Sequence, residues 1–342
     1  MPLLLAGQTS GVTTVQATDT VTATMTLPSV TGVVPTQNST TGALTLPTGT
    51  TGQRPTASTG MVRYNSTLGI VEYYNGTAWY SVTATTPTAP STVEYLVVAG
   101  GGGGNVAGGG AGGFRTATGL AVTAGSPITV TVGAGGSAQS PGTTSGSASV
   151  FGSITSAGGG AAGIDSGGVG ANGSAGGSGG GATVSADGTN RTGGAASPSG
   201  QGNAGGNVSS VTRTGGGGGG ASAAGQSVTS QVGGNGGNGT ASSISGSSVT
   251  YGGGGAGASA SGSHGTAGTG GGGAEGTAGT ANTGGGGGGS WATYGRAGGS
   301  GIVIIRYPDT DLAATSTTGS PTVTVAGGYR VYKWTGSGSI TF

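Results

Sequence analysis

Glycine comes in blocks here, and the blocks limit what the chain can become. Uninterrupted runs fill residues 100–104, 215–220, 252–255, 270–273 and 284–289, and near-runs fill much of the remainder of 99–301. Glycine loses more backbone entropy on folding than any other residue, so ordered runs of it need a specific compensation. Three states compete for such a sequence. Non-periodic Gly/Pro richness is a signature of disorder. A collagen helix demands glycine at every third position with abundant proline, which the clustered glycines do not satisfy. The third state is a bundle of extended, polyproline-II-like helices with three residues per turn and no internal hydrogen bonds. Their N–H and C=O groups must find partners on neighbouring helices, and only glycine lets backbones approach that closely.

Spacing favours the bundle. The later runs begin at residues 215, 233, 252, 270 and 284, separated by Ser/Thr/Ala-rich inserts such as 221–232 and 240–251. A run of about six residues at about 3.1 Å each spans roughly 19 Å, a sensible layer height. Two apolar segments bracket the region, VEYLVV at 93–98 and IVIIRY at 302–307. They read as strands lying side by side, so that the domain's entrance and exit share one end.

Charge is scarce, nine Lys+Arg against eight Asp+Glu in 342 residues, so nothing electrostatic points to nucleic acid or an anionic membrane. Cysteine is absent, which removes disulfides and thiolate metal sites. Met1 to Ala6 is too short for a signal-peptide apolar region and lacks a basic start. The chain is expected to be made in a cytoplasm and to leave it in an assembly.

The remaining segments read as β-structure. In residues 1–52, 12–27 alternate in part as a strand would, and Thr-Leu-Pro recurs at 26–28 and 45–47. So small a segment is expected to pair with other chains, most simply in a trimer. Residues 53–92 read as a β-meander with strands at 61–65, 70–74 and 77–82, then a linker. Asn75-Gly76 is the favoured pair for a tight two-residue hairpin. Tyr64, Tyr73, Tyr74, Trp79 and Tyr80 are expected to form this small sheet's core, the alternative being a sugar platform. Within the glycine-rich domain, 93–307, further strands are expected at 128–132 and 149–155. Residues 308–342 supply a last β-unit, with strands at 322–325, 329–334 and 339–342.

Three stretches carry a resemblance. GQRP at 52–55, GMVRYN at 60–65 and YYNGTAW at 73–79 resemble a hairpin module of tailed-phage tail fibres. VEYLVVAGGGGG at 93–104, VTVGAGG at 130–136, FGSIT at 151–155 and GIVIIRY at 301–307 resemble phage glycine-rich domains. YRVYKWTGSGSITF at 329–342 looks like the β-unit that accompanies them. The glycine clusters are similar to the polyglycine-sandwich adhesins at the tips of long tail fibres. In that family parallel glycine helices form a scaffold, and loops at one end bind the host receptor. The resemblance implies an all-β chain with a polyglycine II bundle, an elongated homotrimeric fibre. Because the recognition inserts lie far from it, the N-terminal region is expected to dock on other virion tail or adaptor proteins. The fibre's partner on the host would be a surface glycan or an outer-membrane protein, and its place would be the virion. Here, however, a β-region precedes the glycine domain and a β-unit follows it, as in a whole fibre and not a detachable tip.

The chemistry available is thin. G-x-G-x-x-G matches arise from composition, and the sole lysine, Lys333, is not in a phosphate loop. With His264 the sole histidine, a chain on its own builds neither a His-based triad nor a multi-His metal site. Asp309 and Asp311 follow Pro308 at a turn, where capping is simpler than calcium binding. No cofactor, metal or catalytic residue is expected, and a glycan-cleaving activity would need facing acidic pairs that eight scattered acids do not offer. Binding is the more credible chemistry. The candidate contact residues are Arg191, Arg213, Tyr251, His264, Trp291, Tyr294 and Arg296, all in inserts. An aromatic face beside an arginine fork suits a sugar or acidic glycan. Trp291 and Tyr294 would equally serve to cap the glycine layers or to pack between subunits.

Overall fold

The computed structural model describes residues 46–82, 86–139, 142–292 and 295–342. Among the described residues the fold is all-β, its one helical element a 3-10 turn at Thr51–Gln53. The chain divides into two compact units, Met1–Thr86 and Pro87–Phe342. The expected strand at 12–27 and the first Thr-Leu-Pro cadence lie outside the described residues.

The first unit holds a four-stranded sheet in the order Thr48–Gly49, Val62–Asn65, Ile70–Tyr74, Trp79–Ser81. Tyr74 pairs with Trp79, so the second turn has four residues, 75–78, and not the expected two. Asn75 closes it with its side chain, whose Oδ1 accepts the N–H groups of Thr77 and Ala78 at 2.9 and 3.0 Å. The larger correction concerns the core. Alternation puts Arg63, Asn65 and Glu72 on one face and Val62, Tyr64 and Tyr73 on the other. The covered face is the polar one. Arg63, Asn65 and Glu72 are the buried residues of this unit among those described, while Tyr64, Tyr73 and Tyr80 are exposed. Tyr74 and Trp79, half-buried on the polar face, lie 5.6 Å apart.

The second unit contains two five-stranded antiparallel sheets. One runs Thr322–Ala326, Tyr329–Trp334, Ile302–Pro308, Thr92–Val98, Phe114–Ala121. The other runs Ile154–Ser156, Ser149–Phe151, Ile128–Thr131, Gly338–Thr341, Ser316–Thr318. The bracketing segments do pair, Ile302 opposite Val98 through Arg306 opposite Glu94. Between the sheets Val97, Phe151, Val303, Ile305, Tyr307, Trp334 and Ile340 close a core. On the first sheet's opposite face, Leu96, Val98, Ile302 and Ile304 pack with Ile244 and Tyr251. The two central strands are thus covered on both sides along 95–98 and 302–305, which is why those stretches are continuous apolar runs without alternation. Each fully buried side chain of this size contributes about 1.5–3 kcal/mol.

The glycine runs leave that sheet at Ala99 and return to it at Gly301. The run at 108–113 shows how they pack. Gly108 and Ala111 donate to Gly216 and Gly219, Gly109 and Gly112 to Gly287 and Gly284, and Gly110 and Gly113 to Gly160 and Ala157, all at 2.8–3.1 Å. The donor direction therefore returns every third residue. The same run accepts from Ala99 and Gly102, from Ser178 and Gly181, and from Gly255. It has six neighbours among the described residues, three to which it gives hydrogen bonds and three from which it takes them. The runs at 215–220 and 252–258 repeat the pattern: Gly215 and Gly218 reach Ala258 and Gly255, and Gly254 and Gly257 reach Gly237 and Gly234. At Gly108, Gly109, Gly110 and Gly112 an added Cβ would run into a neighbouring backbone carbonyl, whereas Ala111 finds room for its methyl, and residues 100–113 are buried throughout.

Candidate functional site

Because successive runs reverse, the inserts collect at two ends. One end adjoins the sheets: Gly101 donates to Gly299 beside the Val98–Ile302 pair. At the far end of the same run, Gly104 donates to the carbonyl of Arg296, and Ser290 donates to that of Asn105. Asn105 Oδ1 accepts the N–H of Asp165 at 3.0 Å, and Ser290 Oγ donates to Glu275 Oε1 at 2.7 Å. Ala107 N–H donates to Thr183 Oγ1. Two residues on, the chain reaches Ser185, whose carbonyl accepts from Arg213, and Arg213's own carbonyl accepts from Ala260. Loops widely separated in sequence thus form one continuous end.

That end gathers the charge of the glycine-rich region. Seven charged residues lie between 99 and 301: Arg115, Asp165, Asp187, Arg191, Arg213, Glu275 and Arg296. All but Arg115, which sits in the strand Phe114–Ala121, belong to these loops. A small apolar cluster of Ala182, Val184, Val208, Val211 and Val228 lies among the same loops.

The seven sequence candidates fare differently. Arg191 is committed internally: its Nε donates to Gly170 O at 2.9 Å and its Nη2 to Asp187 Oδ2 at 2.7 Å. Burial works against ionisation of Asp187, but hydrogen bonds from Thr189 and the Arg191 charge outweigh it and hold the carboxyl below its usual range. Arg213 is exposed, and among the described residues its guanidinium has no partner. Its backbone is held at φ 52°, with Ser210 nearby at 58°, conformations costly to residues other than glycine. His264 is exposed, and its Nδ1 accepts the Ser259 N–H at 3.3 Å. Arg296 is exposed with Nε bonded to Gly276 O, and Trp291 is half-buried. Tyr294 lies outside the described residues. Tyr251 is the correction. It ends the hairpin of Thr240–Ser242 with Val249–Tyr251, is 4% exposed, and packs against the sheet at the opposite end.

Over residues 74–308 the sequence matches the family of glycine-rich domains. The chain belongs to that family. No curated protein and no solved structure matches it. In this glycine-rich domain, sequence reasoning missed the partners that order the loops. Asparagine side chains cap run backbones that lack a neighbour: Asn172 Oδ1 accepts from Thr192, Asn190 from Ser210, Asn235 from Thr266 and Asn238 from Thr269. Asparagines next to glycine, as at Asn172, Asn235 and Asn238, were the available signal.

Proposed function

We propose that this chain is a structural tail-fibre protein of a tailed phage, acting as a homotrimer, which attaches to the host surface through its loop end. In this reading the glycine runs are polyglycine II helices. The three-residue return of the donor direction and the six neighbours of run 108–113 are what such helices require. One observation carries the functional reading: all the charge between residues 99 and 301 except Arg115, together with His264 and Trp291, lies in the loops at the far end of the glycine runs. The ligand is a host surface glycan or an outer-membrane protein. Arg213 is its first contact, being a cation without a partner among the described residues and held in a costly conformation.

A purely architectural fibre or decoration role is the second reading, favoured by Arg191, whose Nε and Nη2 are bonded inside the protein. Adsorption competition separates the two. Intact chain added to host cells before phage should block adsorption at saturation, and Arg213→Gly should block at least tenfold less well. Glycine adopts φ 52° freely, so this variant keeps its fold. Equal blocking by both chains would move recognition to other loops, and no blocking by the intact chain would leave the architectural role.

A further inference from the structure

In the second unit a cavity of about 350 Å³ opens at the sheet end of the glycine-rich domain, where three elements meet. Its floor is the first sheet, through Ile302 and Lys333. Lys333 sits opposite Ile304, so it shares the face that the hairpin of Thr240–Ser242 and Val249–Tyr251 covers. Ser245 and Ser247, in the hairpin's turn, form one wall, and Asn282 belongs to the other. These walls are fixed in place. Gly252 N–H donates to Thr283 O at 2.9 Å, and Asn282 N–H donates to Ser300 Oγ at 2.9 Å, which in turn donates to Asn282 Oδ1 at 3.1 Å.

The chain's one lysine stands here without a counterion. Residues 240–251, 280–284 and 322–326, which surround it, carry no charge. On the neighbouring strand Arg306 is tied to Glu94 at 2.8 Å, and alternation puts Arg330 on the other face. Among the described residues the Lys333 ammonium, the Ser247 hydroxyl and the Asn282 amide nitrogen have no partner. Asn282 is held at φ 63°, where glycine would be unstrained. The Tyr251 hydroxyl is bonded with Ser245, and burial, partly opposed by that bond, pushes its ionisation above the ordinary 10, so it remains a neutral donor. Val249 and Ile302 add an apolar strip.

We propose that this cavity binds one acidic sugar unit, a hexuronic acid, with its carboxylate on Lys333. The carboxylate supplies the counterion that no surrounding element offers, and the half-buried ammonium has lost part of the water that would otherwise serve it. The sugar's hydroxyls meet Ser247 and the Asn282 amide, and its C–H face lies on Val249 and Ile302. A bare inorganic anion would leave most of the volume empty and would face one cation where such sites converge several donors. A neutral sugar would leave Lys333 uncompensated. A preformed cavity with a few polar groups and an apolar wall is the usual form of a small-molecule site. It lies at the opposite end of the glycine runs from Arg213 and does not depend on host attachment there.

Because Lys333 is the one lysine, isotope-labelled lysine gives the full-length chain a single Cε resonance that reports on the cavity directly. The probes are glucuronate, glucose and acetate at constant ionic strength. Glucuronate should shift that resonance with half-saturation at roughly 1–10 mM, ordinary for so small a ligand. Glucose, lacking the charge, and acetate, lacking the hydroxyls, should each need roughly tenfold more. Saturation transfer to glucuronate from unlabelled chain should fall about tenfold in Lys333→Gln and in Asn282→Gly, whose backbone φ suits glycine, and should be unchanged in Arg213→Gly. No shift with glucuronate overturns the proposal. An equal response to acetate does so too, since it would mean simple counterion exchange, and so does transfer that survives Lys333→Gln. Binding that emerges only in Asp19→Asn would make the chain's own carboxylate the occupant and overturn it as well. Loss of glucuronate binding in a chain that still blocks phage adsorption would remove this site and leave the attachment reading standing.

Discussion

Gly109→Ala is expected to yield no folded glycine-rich domain, while Gly336→Ala changes the melting temperature by no more than a degree or so. The two substitutions add the same methyl group. At Gly336 nothing lies within 4 Å of the new Cβ and φ is ordinary, so the effect stays within about 0.5 kcal/mol. At Gly109 the Cβ would occupy the carbonyl of Gly102 and press on Gly103 O at 2.9 Å. Those are backbone atoms, not the tip of a side chain that can swing aside. To make room, the run at 99–104 must move, but it is held by bonds from Gly101 to Gly299, Gly102 to Gly110 and Gly103 to Thr144. Each buried group stripped of its partner costs about 1–3 kcal/mol. Several at once exhaust the roughly 5–15 kcal/mol that holds a domain together. Solubility on expression and a thermal melt would decide it. If Gly109→Ala melts within a few degrees of the unaltered chain, the runs are not in backbone contact and the polyglycine II packing fails.

The same tightness explains what could be read in advance. Clustered glycine made the glycine-rich domain legible, because close backbone contact is what gives such runs a reason to be ordered. The segments 93–98 and 302–307 were legible because burial on both faces writes the apolar stretches 95–98 and 302–305 within them. Phe114–Ala121 was missed, since an edge strand facing water on most of its length carries no such run. The first unit shows a deeper limit. Alternation separates Tyr64 and Tyr73 from Arg63 and Glu72, but it does not say which set is covered. The apolar character of aromatic rings predicts them inside, whereas Tyr64 and Tyr73 lie on the exposed face. Tyr251 was misplaced for a related reason. Short stretches such as residues 225–228 run between the two ends with little glycine, so counting glycine clusters does not reveal at which end an insert emerges.

Glu72→Gln should destabilise the first unit by about 1–3 kcal/mol, because it leaves the buried Arg63 and the partly exposed Arg54 facing a neutral amide. Glu72 is 1% exposed and takes hydrogen bonds from Arg54 Nη2 at 2.7 Å, Arg54 Nε at 3.2 Å and Asn65 Nδ2 at 3.1 Å. Arg63 lies 3.5 Å from it while donating to the carbonyls of Gln53 and Thr50. The substituted amide would keep the shape and lose the charge, and the arginines would stay tethered by those carbonyls and by the Trp79 ring beneath Arg54. The hydrogen bond from Arg54 is the main reason that the Glu72 carboxyl titrates below the ordinary 4.5, burial opposing it and Asn65 assisting. A carboxylate whose value falls on folding stabilises the folded state above its unfolded value and loses that contribution as pH drops through the folded one. Stability of the unit should therefore be level from pH 7 to about 5 and decline below 4.5, and Glu72→Gln should flatten that decline. Tryptophan fluorescence would not isolate Trp79 from Trp291 and Trp334, so limited proteolysis between residues 46 and 82 is the better readout. If Glu72→Gln resists protease as well as the unaltered chain, the ionic face is not what holds this sheet. The stabilising burial would then lie on the tyrosine face.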